Sequence, residues 1–274
     1  GQQMLLTVGD SFTVKRFPED IPWPEMLSKE MNLNLVNRSQ EGVSNQYIFR
    51  NFVQEIITNP NITHCVIGLS NWNRLEVGVN KGVQYNHVST NTKTLISHSP
   101  DPELDASNRH NLDLEVEKIY KLYFNYKYYL DATLTFIKIM IDLSKLYNIN
   151  LVITQLVKPF PFGAPQKRTT YKEKREKSRA KEEALSYLQG HQFLKTIDTN
   201  YIKCFDFNCE NLLCIIINVS DLWYKWTGHY VKKHGDKQCM GYHDQMGEKF
   251  KSEFDLHPSY YGHEIITKSL LGCF

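Results

Sequence analysis

A chain of 274 residues with 41% hydrophobic and 23% charged side chains carries enough apolar material to bury a substantial core. It contains no apolar run near the roughly 20 residues needed to cross a bilayer, and its formal net charge of +2 excludes a strong overall field toward nucleic acid. Six cysteines, some inside apolar runs, fit free buried thiols better than a disulfide framework.

The first predicted strand is Met4–Val8, which ends at Gly9 and runs straight into Asp10-Ser11. This start lacks the charged head and long apolar middle of a signal peptide, so a cytoplasmic or virion-associated location is expected. Trp23, in Pro22-Trp23-Pro24 ahead of a predicted helix, is expected in the core. A second strand spans Leu33–Val36 and stops at Asn37. Ser44–Thr58 then sets Tyr47, Ile48, Phe52, Ile56 and Ile57 at helical spacing. The third strand is His64–Leu69, a helix follows over Tyr126–Tyr147, and Asn150–Leu156 is the fourth strand. A fifth strand falls at Ile202–Phe207 or Leu213–Val219, which periodicity does not separate. An apolar helix from Glu264 to about Leu271 ends the chain.

Strands alternating with helices build βαβ units, so the expected fold is a three-layer α/β/α sandwich around a mostly parallel five-stranded sheet. With no internal repeat and no low-complexity linker, residues 1–274 read as one domain. Two connections, about 72–125 and 158–190, are too long for simple turns and are expected to be lids or binding loops. Both follow the carboxyl ends of predicted strands, where open α/β sheets bind ligands. Within the second, Lys167 to Lys181 is rich in basic residues, but Glu173 and Glu176 interleave at helical spacing, the pattern of a solvated helix or lid. Nucleic acid is therefore not an expected partner.

The chemistry-bearing residues sit at the two ends. Gly9-Asp10-Ser11 would present a serine hydroxyl at the sheet edge, near backbone N–H groups that stabilise an oxyanion. Asp255-Leu256-His257-Pro258 offers an imidazole with a carboxylate two residues before it, on the same side of an extended segment. A serine hydroxyl needs such a base to become nucleophilic. A competing set, His229, His234, Cys239 and His243 with Cys204, Cys209 and Cys214 upstream, has no C-x-x-C pair and no familiar zinc spacing. No metal is expected.

Taken together, these segments resemble the SGNH/GDSL hydrolase family, whose four blocks are a G-D-S turn, a glycine after the second strand, a G-x-N-D turn after the third, and a terminal D-x-x-H-P. Gly9-Asp10-Ser11 matches the first, Asn37-Arg38-Ser39-Gln40-Glu41-Gly42 the second, Val66-Ile67-Gly68-Leu69-Ser70-Asn71 the third, and Asp255 to Gly262 the last. The resemblance implies a flavodoxin-like sheet and a triad of Ser11, His257 and Asp255. It also implies an oxyanion hole from Gly42 with Ser70 or Asn71, and an esterase that needs no cofactor. Two departures stand out. The family asparagine aligns with Ser70, with Asn71 next to it, and the carboxylate lies two rather than three residues before His257, where Phe254 occupies the usual place. The shortened ending, Gly42-Val43-Ser44-Asn45 and the run Trp72-Asn73-Arg74 are similar to phage- and virus-encoded members. Trp72 and Arg74 are candidate substrate contacts, for a stacked sugar or an anionic group. The expected substrate is a small-molecule, glycan or lipid ester; the alternative is an inactive SGNH-like binding or virion structural module.

Overall fold

A computed structural model describes residues 1–15, 21–70, 75–79, 82–86, 95–98, 126–156, 186–203, 258 and 260–274. Strands β1 (Met4–Val8), β2 (Asn34–Asn37), β3 (Ile62–Leu69), β7 (Asn150–Gln155) and β8 (Ile202–Lys203) form one sheet in the order β2-β1-β3-β7-β8. Every pairing in it is parallel. β4 (Leu75–Val79), β5 (Gly82–Asn86) and β6 (Leu95–His98) form a separate antiparallel sheet.

Among the described residues, helices α1 (Trp23–Glu30), α2 (Asn45–Thr58), α3 (Tyr126–Leu146) and α4 (Tyr260–Leu271) flank the parallel sheet. Alternation of side chains along each strand sorts the core into two sets. Leu6, Val8, Cys65, Ile67, Leu69, Leu151 and Ile153 face α2 and α3, which contribute Ile48, Phe52, Ile56, Leu130, Leu134 and Ile137. Leu5, Val66, Val152 and Leu156 face α1 and α4, which contribute Trp23, Leu27, Ile266 and Leu270. With both faces covered, the strands must be apolar almost throughout, and β3 and β7 read that way. The result is the expected three-layer α/β/α sandwich.

Local signals explain the helix boundaries. Proline at the entrance of α1 lacks the N–H that would go unpaired there, and Glu25 lies in the first turn against the positive end of the helix. The Ser44 hydroxyl caps α2 by accepting from the Tyr47 N–H at 3.2 Å. α1 and α3 both stop on an asparagine in the left-handed region, Asn32 at φ 54° and Asn148 at φ 57°. In each case the next residue donates back over the last turn, Leu33 N–H to the Ser28 carbonyl at 2.9 Å and Ile149 N–H to Ser144 at 2.8 Å. Both turns feed the chain directly into a strand.

Several boundaries differ from the sequence expectations. β2 is shifted one residue onward, β3 starts two residues earlier, and the fifth strand begins at the first of the two alternatives, Ile202. The last helix starts at Tyr260 rather than Glu264, so Gly262 and His263 lie inside its first turn. A helical glycine costs only about 1 kcal/mol, which packing of α4 against the core outweighs. The sheet β4-β5-β6 within the first long connection was not expected, although Leu75-Glu76-Val77-Gly78-Val79 alternates with strand period. Of the cysteines, Cys65 is free and buried, burial pushing its thiol well up, and Cys273 is free and half-buried. Cys204, Cys209, Cys214 and Cys239, the histidines near them, Leu213–Val219 and Lys167–Lys181 lie outside the described residues. Among the described residues, no helix is long and apolar enough to cross a membrane, and no three potential metal ligands cluster.

The segment 186–203 is tied back onto α3. The Tyr187 hydroxyl donates to Asp131 Oδ1 at 2.7 Å, His191 Nε2 meets the same oxygen at 2.6 Å, and Lys145 pairs with Asp198 at 3.4 Å.

The left-handed turn after α3 is directly testable. Asn148→Gly is expected to leave stability within about 0.5 kcal/mol of wild type, whereas Asn148→Val is expected to cost about 1–2 kcal/mol, because a β-branched side chain strains there. Urea unfolding monitored by circular dichroism reads both.

Candidate active site

In a sheet of this order the connection after β1 goes to one side and the connection after β2 returns across to β3, so the chain leaves a crevice at the carboxyl ends of β1 and β3. The segments that follow those two strands are Gly9-Asp10-Ser11 and Ser70. Topology therefore brings the first and third sequence blocks to one edge.

The turn after β1 is built tightly. Asp10 is 1% exposed and its Oδ1 accepts from the Phe12 N–H at 3.0 Å, closing an Asx turn that leaves Ser11 half-buried between two buried neighbours. The chain folds back so that Thr13 crosses the ends of both strands. A Cβ at Gly9 would lie 2.8 Å from Thr13 Cβ and 3.1 Å from the Gly68 carbonyl oxygen, and one at Gly68 would lie 2.9 Å from Thr13 Oγ1. A side chain at Gly9 would collide with Thr13 and crowd the backbone of β3, and one at Gly68 would press on the Thr13 hydroxyl. The glycines of the first and third blocks thus serve packing between β1, β3 and the serine turn.

The segment after β2 continues alongside β1. Arg38 N–H bonds the Thr7 carbonyl at 2.9 Å, Gln40 N–H bonds Gly9 at 3.2 Å, and Asn37 Nδ2 reaches the Thr13 carbonyl at 2.9 Å. Tyr47 of α2 holds it from outside, its hydroxyl donating to the Arg38 carbonyl at 2.9 Å. The chain then turns at Gly42, buried with φ 73°, a value that favours glycine. Three residues on it enters α2.

At the end of β3, side chains replace strands as hydrogen-bond partners. Gln155 Nε2 donates to the Leu69 carbonyl at 3.0 Å, Ser70 N–H donates to Asn45 Oδ1 at 2.8 Å, and Asn45 Nδ2 donates to the Ser70 carbonyl at 3.1 Å. Ser70 itself is 1% exposed, and its hydroxyl has no hydrogen-bond partner among the described residues.

The other chain end approaches through Trp23. Its indole is wholly buried, as expected, and Nε1–H donates to the Phe12 carbonyl at 2.9 Å. Its backbone N–H donates to Nδ1 of His263 at 3.1 Å, a histidine 4% exposed in the first turn of α4. One tryptophan thus connects the residue after Ser11 to the helix that follows His257. The ring accepts through Nδ1, which leaves Nε2 as the nitrogen that carries the ring proton.

Of the residues singled out by sequence, Ser11, Gly42 and Ser70 are positioned around one sheet edge. Asn71, Trp72, Arg74, Asp255 and His257 lie outside the described residues. Sequence reasoning missed Asn45, Gln155, Thr13 and His263. For Asn45 a signal existed, since a polar amide just after a Ser cap is a poor choice for helix propensity alone.

No family model matches the chain, and no curated protein does either. Among solved structures, a protein of Desulfitobacterium hafniense DCB-2 assigned to the G-D-S-L lipolytic family resembles it over 100% of both chains, with 13% identity and a TM-score of 0.42.

The Gly9–Thr13–Gly68 contact predicts a coupled pair of substitutions. Gly68→Ala is expected to destabilise by about 1–3 kcal/mol through overpacking, and Thr13→Ala in the same chain to recover part of that loss, because it removes the offending Oγ1. Gly9→Ala is expected to gain a smaller share of relief, since removing Thr13 Oγ1 leaves the Thr13 Cβ at 2.8 Å and the Gly68 carbonyl oxygen at 3.1 Å. Urea midpoints of six proteins, namely wild type, the three single variants including Thr13→Ala and the two double variants, decide the coupling.

Proposed function

We propose that this chain is a serine ester hydrolase of the SGNH/GDSL type, acting through Ser11, His257 and Asp255. The observation that carries the reading is the meeting of the G-D-S turn and Ser70 at the β1/β3 crevice of a parallel sheet in which helices cover both faces. The bridge from Phe12 through Trp23 to His263 supports the assignment of the base, because His257 lies six residues before His263 and next to buried Pro258.

In this mechanism His257 takes the Ser11 proton as Oγ bonds to the ester carbonyl carbon. The Ser11 and Gly42 N–H groups, with Ser70 or Asn71, stabilise the oxyanion. Collapse breaks the bond to the alcohol, which leaves with the proton from His257, and the acyl group stays on Ser11. Water then adds to the acyl carbon, its proton passing to His257 and on to Ser11 Oγ as the acid departs. Asp255 fixes the imidazole tautomer and stabilises its charged form. The chemistry needs no metal or organic cofactor.

The substrate class is an O-acetyl or other acyl ester on a glycan or lipid, with Trp72 and Arg74, directly after the third block, as contacts for a sugar face and an anionic group. One domain carrying two insertions accounts for this arrangement. The resemblance to phage- and virus-encoded members rests on the sequence motifs alone. A second reading, a binding module that keeps the scaffold without turnover, is favoured by the serine standing where the family has asparagine.

Treatment with a fluorophosphonate probe and peptide mapping tests the choice. Labelling at Ser11 is expected, absent in Ser11→Ala and slowed at least about ten-thousandfold in His257→Ala. Labelling at another serine, or none in a folded sample, overturns the esterase; glycan binding unchanged in Ser11→Ala would then favour the binding module.

A further inference from the structure

The end of β3 has an unusual support. A strand that leaves a sheet ordinarily passes its free N–H and C=O groups to water or to a turn. Here the Leu69 carbonyl, the Ser70 N–H and the Ser70 carbonyl are all taken by buried side-chain amides. Two of the three bonds come from Asn45, which is 6% exposed at the start of α2.

An asparagine amide presents one acceptor and one donor side by side, the pair that a neighbouring strand would offer to a single residue. Placed on Ser70, it fixes the N–H and the C=O together and leaves only the side-chain torsion free. The amide is held in turn by a longer contact, 3.5 Å, from Nδ2 to Thr133 Oγ1 of α3. One consequence is chemical. The Ser70 N–H, committed to Asn45 Oδ1 at 2.8 Å, has no hydrogen to offer a substrate, so the donor remaining to Ser70 is its hydroxyl, buried and without a partner among the described residues.

We infer that Asn45 is the positioning residue for the oxyanion site, setting the Ser70 hydroxyl as the side-chain donor in the place where the family pattern has an asparagine. The inference rests on the esterase reading and names the part of that site which sequence left open between Ser70 and Asn71. Asn45 acts through Ser70 and does not touch the substrate. Its own residue type is selected by the geometry: aspartate lacks the donor for the Ser70 carbonyl, and alanine lacks both groups.

The test is a double-mutant cycle read by the rate of fluorophosphonate labelling at Ser11. In that reaction the Ser11 Oγ–P bond forms, the P–F bond breaks, fluoride leaves and the serine proton goes to His257. Its transition state places negative charge on the phosphoryl oxygen, so it samples the oxyanion donors without knowledge of the natural substrate. Ser70→Ala is expected to slow labelling roughly a hundredfold, the usual effect of losing one donor. Asn45→Ala is expected to slow it by a similar factor, and the double variant no more than either single one, because both remove the same interaction. A merely structural role for Asn45 would give multiplying losses instead. Asn51→Ala, which removes another buried amide of α2 bonded only within its helix among the described residues, is the control and is expected to label at the wild-type rate.

If Asn45→Ala does not fold, Asn45→Asp keeps the acceptor for the Ser70 N–H and replaces it in the cycle, with an intermediate rate and the same non-additivity expected. A wild-type chain that does not label at Ser11 defeats the esterase reading and this inference with it. Wild-type labelling with an unaffected Asn45→Ala, with multiplying losses, or with dependence on Asn71→Ala in place of Ser70→Ala, overturns the inference alone.

Discussion

Every strand of the central sheet points the same way, and that single constraint organises the rest of the molecule. Parallel neighbours can be joined only by crossing over a face, so each strand delivers its next segment at the same edge. In the observed order, β1 and β3 are adjacent while their connections depart to opposite faces. The serine turn and the Ser70 segment meet there as a result of chain routing, with no further interaction needed to bring them together.

Meeting at an edge is not the same as being held there. Strand ends lose their ladder partners, and exposed backbone would let each segment drift by more than an acyl-transfer site tolerates. The chain answers with side chains of limited freedom. Asp10 closes the serine turn, Thr13 locks it over two glycines, Asn37 grips the Thr13 carbonyl, and Asn45 with Gln155 anchors the end of β3. All are short polar groups with at most a few torsions, so little conformational entropy is lost in ordering them. Asp10, Thr13, Asn45 and Gln155 are buried, where water competes little for their hydrogen bonds, and Asn37 is half-buried.

How much of this was legible in the sequence depended on the range of the interaction. Periodicity located β1, α2 and α3 to within a residue or so, because buried strands and amphipathic helices carry their own pattern. Order along the chain then implied the layers. Ser11 was singled out by its turn after the first strand and Gly42 and Ser70 by the family blocks they resemble, and all three follow the carboxyl ends of strands in the sheet. Asn45, Gln155 and His263 were not, since an amide or imidazole shows its partner only after folding, and those partners lie 25, 86 and 240 residues away. The early start of α4 was hidden for a related reason: Gly262 signals a break locally, whereas the packing of Ile266 and Leu270 on the opposite chain end overrides it. The alternation in β4 was visible but was absorbed into a connection read only by its length.

The hydrogen bond from Trp23 to His263 has a consequence for how such a chain is made. On a ribosome the amino-terminal strand, the tryptophan and the second and third strands emerge long before the final helix exists. Until α4 has been made, the face that it covers leaves Leu5, Trp23 and Val66 without their lid. Contacts of such sequence separation slow folding and lengthen the exposure of sticky surface. A premature stop near residue 258 would therefore release a chain with one finished side and one bare side, a natural substrate for chaperones and proteases rather than a partly active protein.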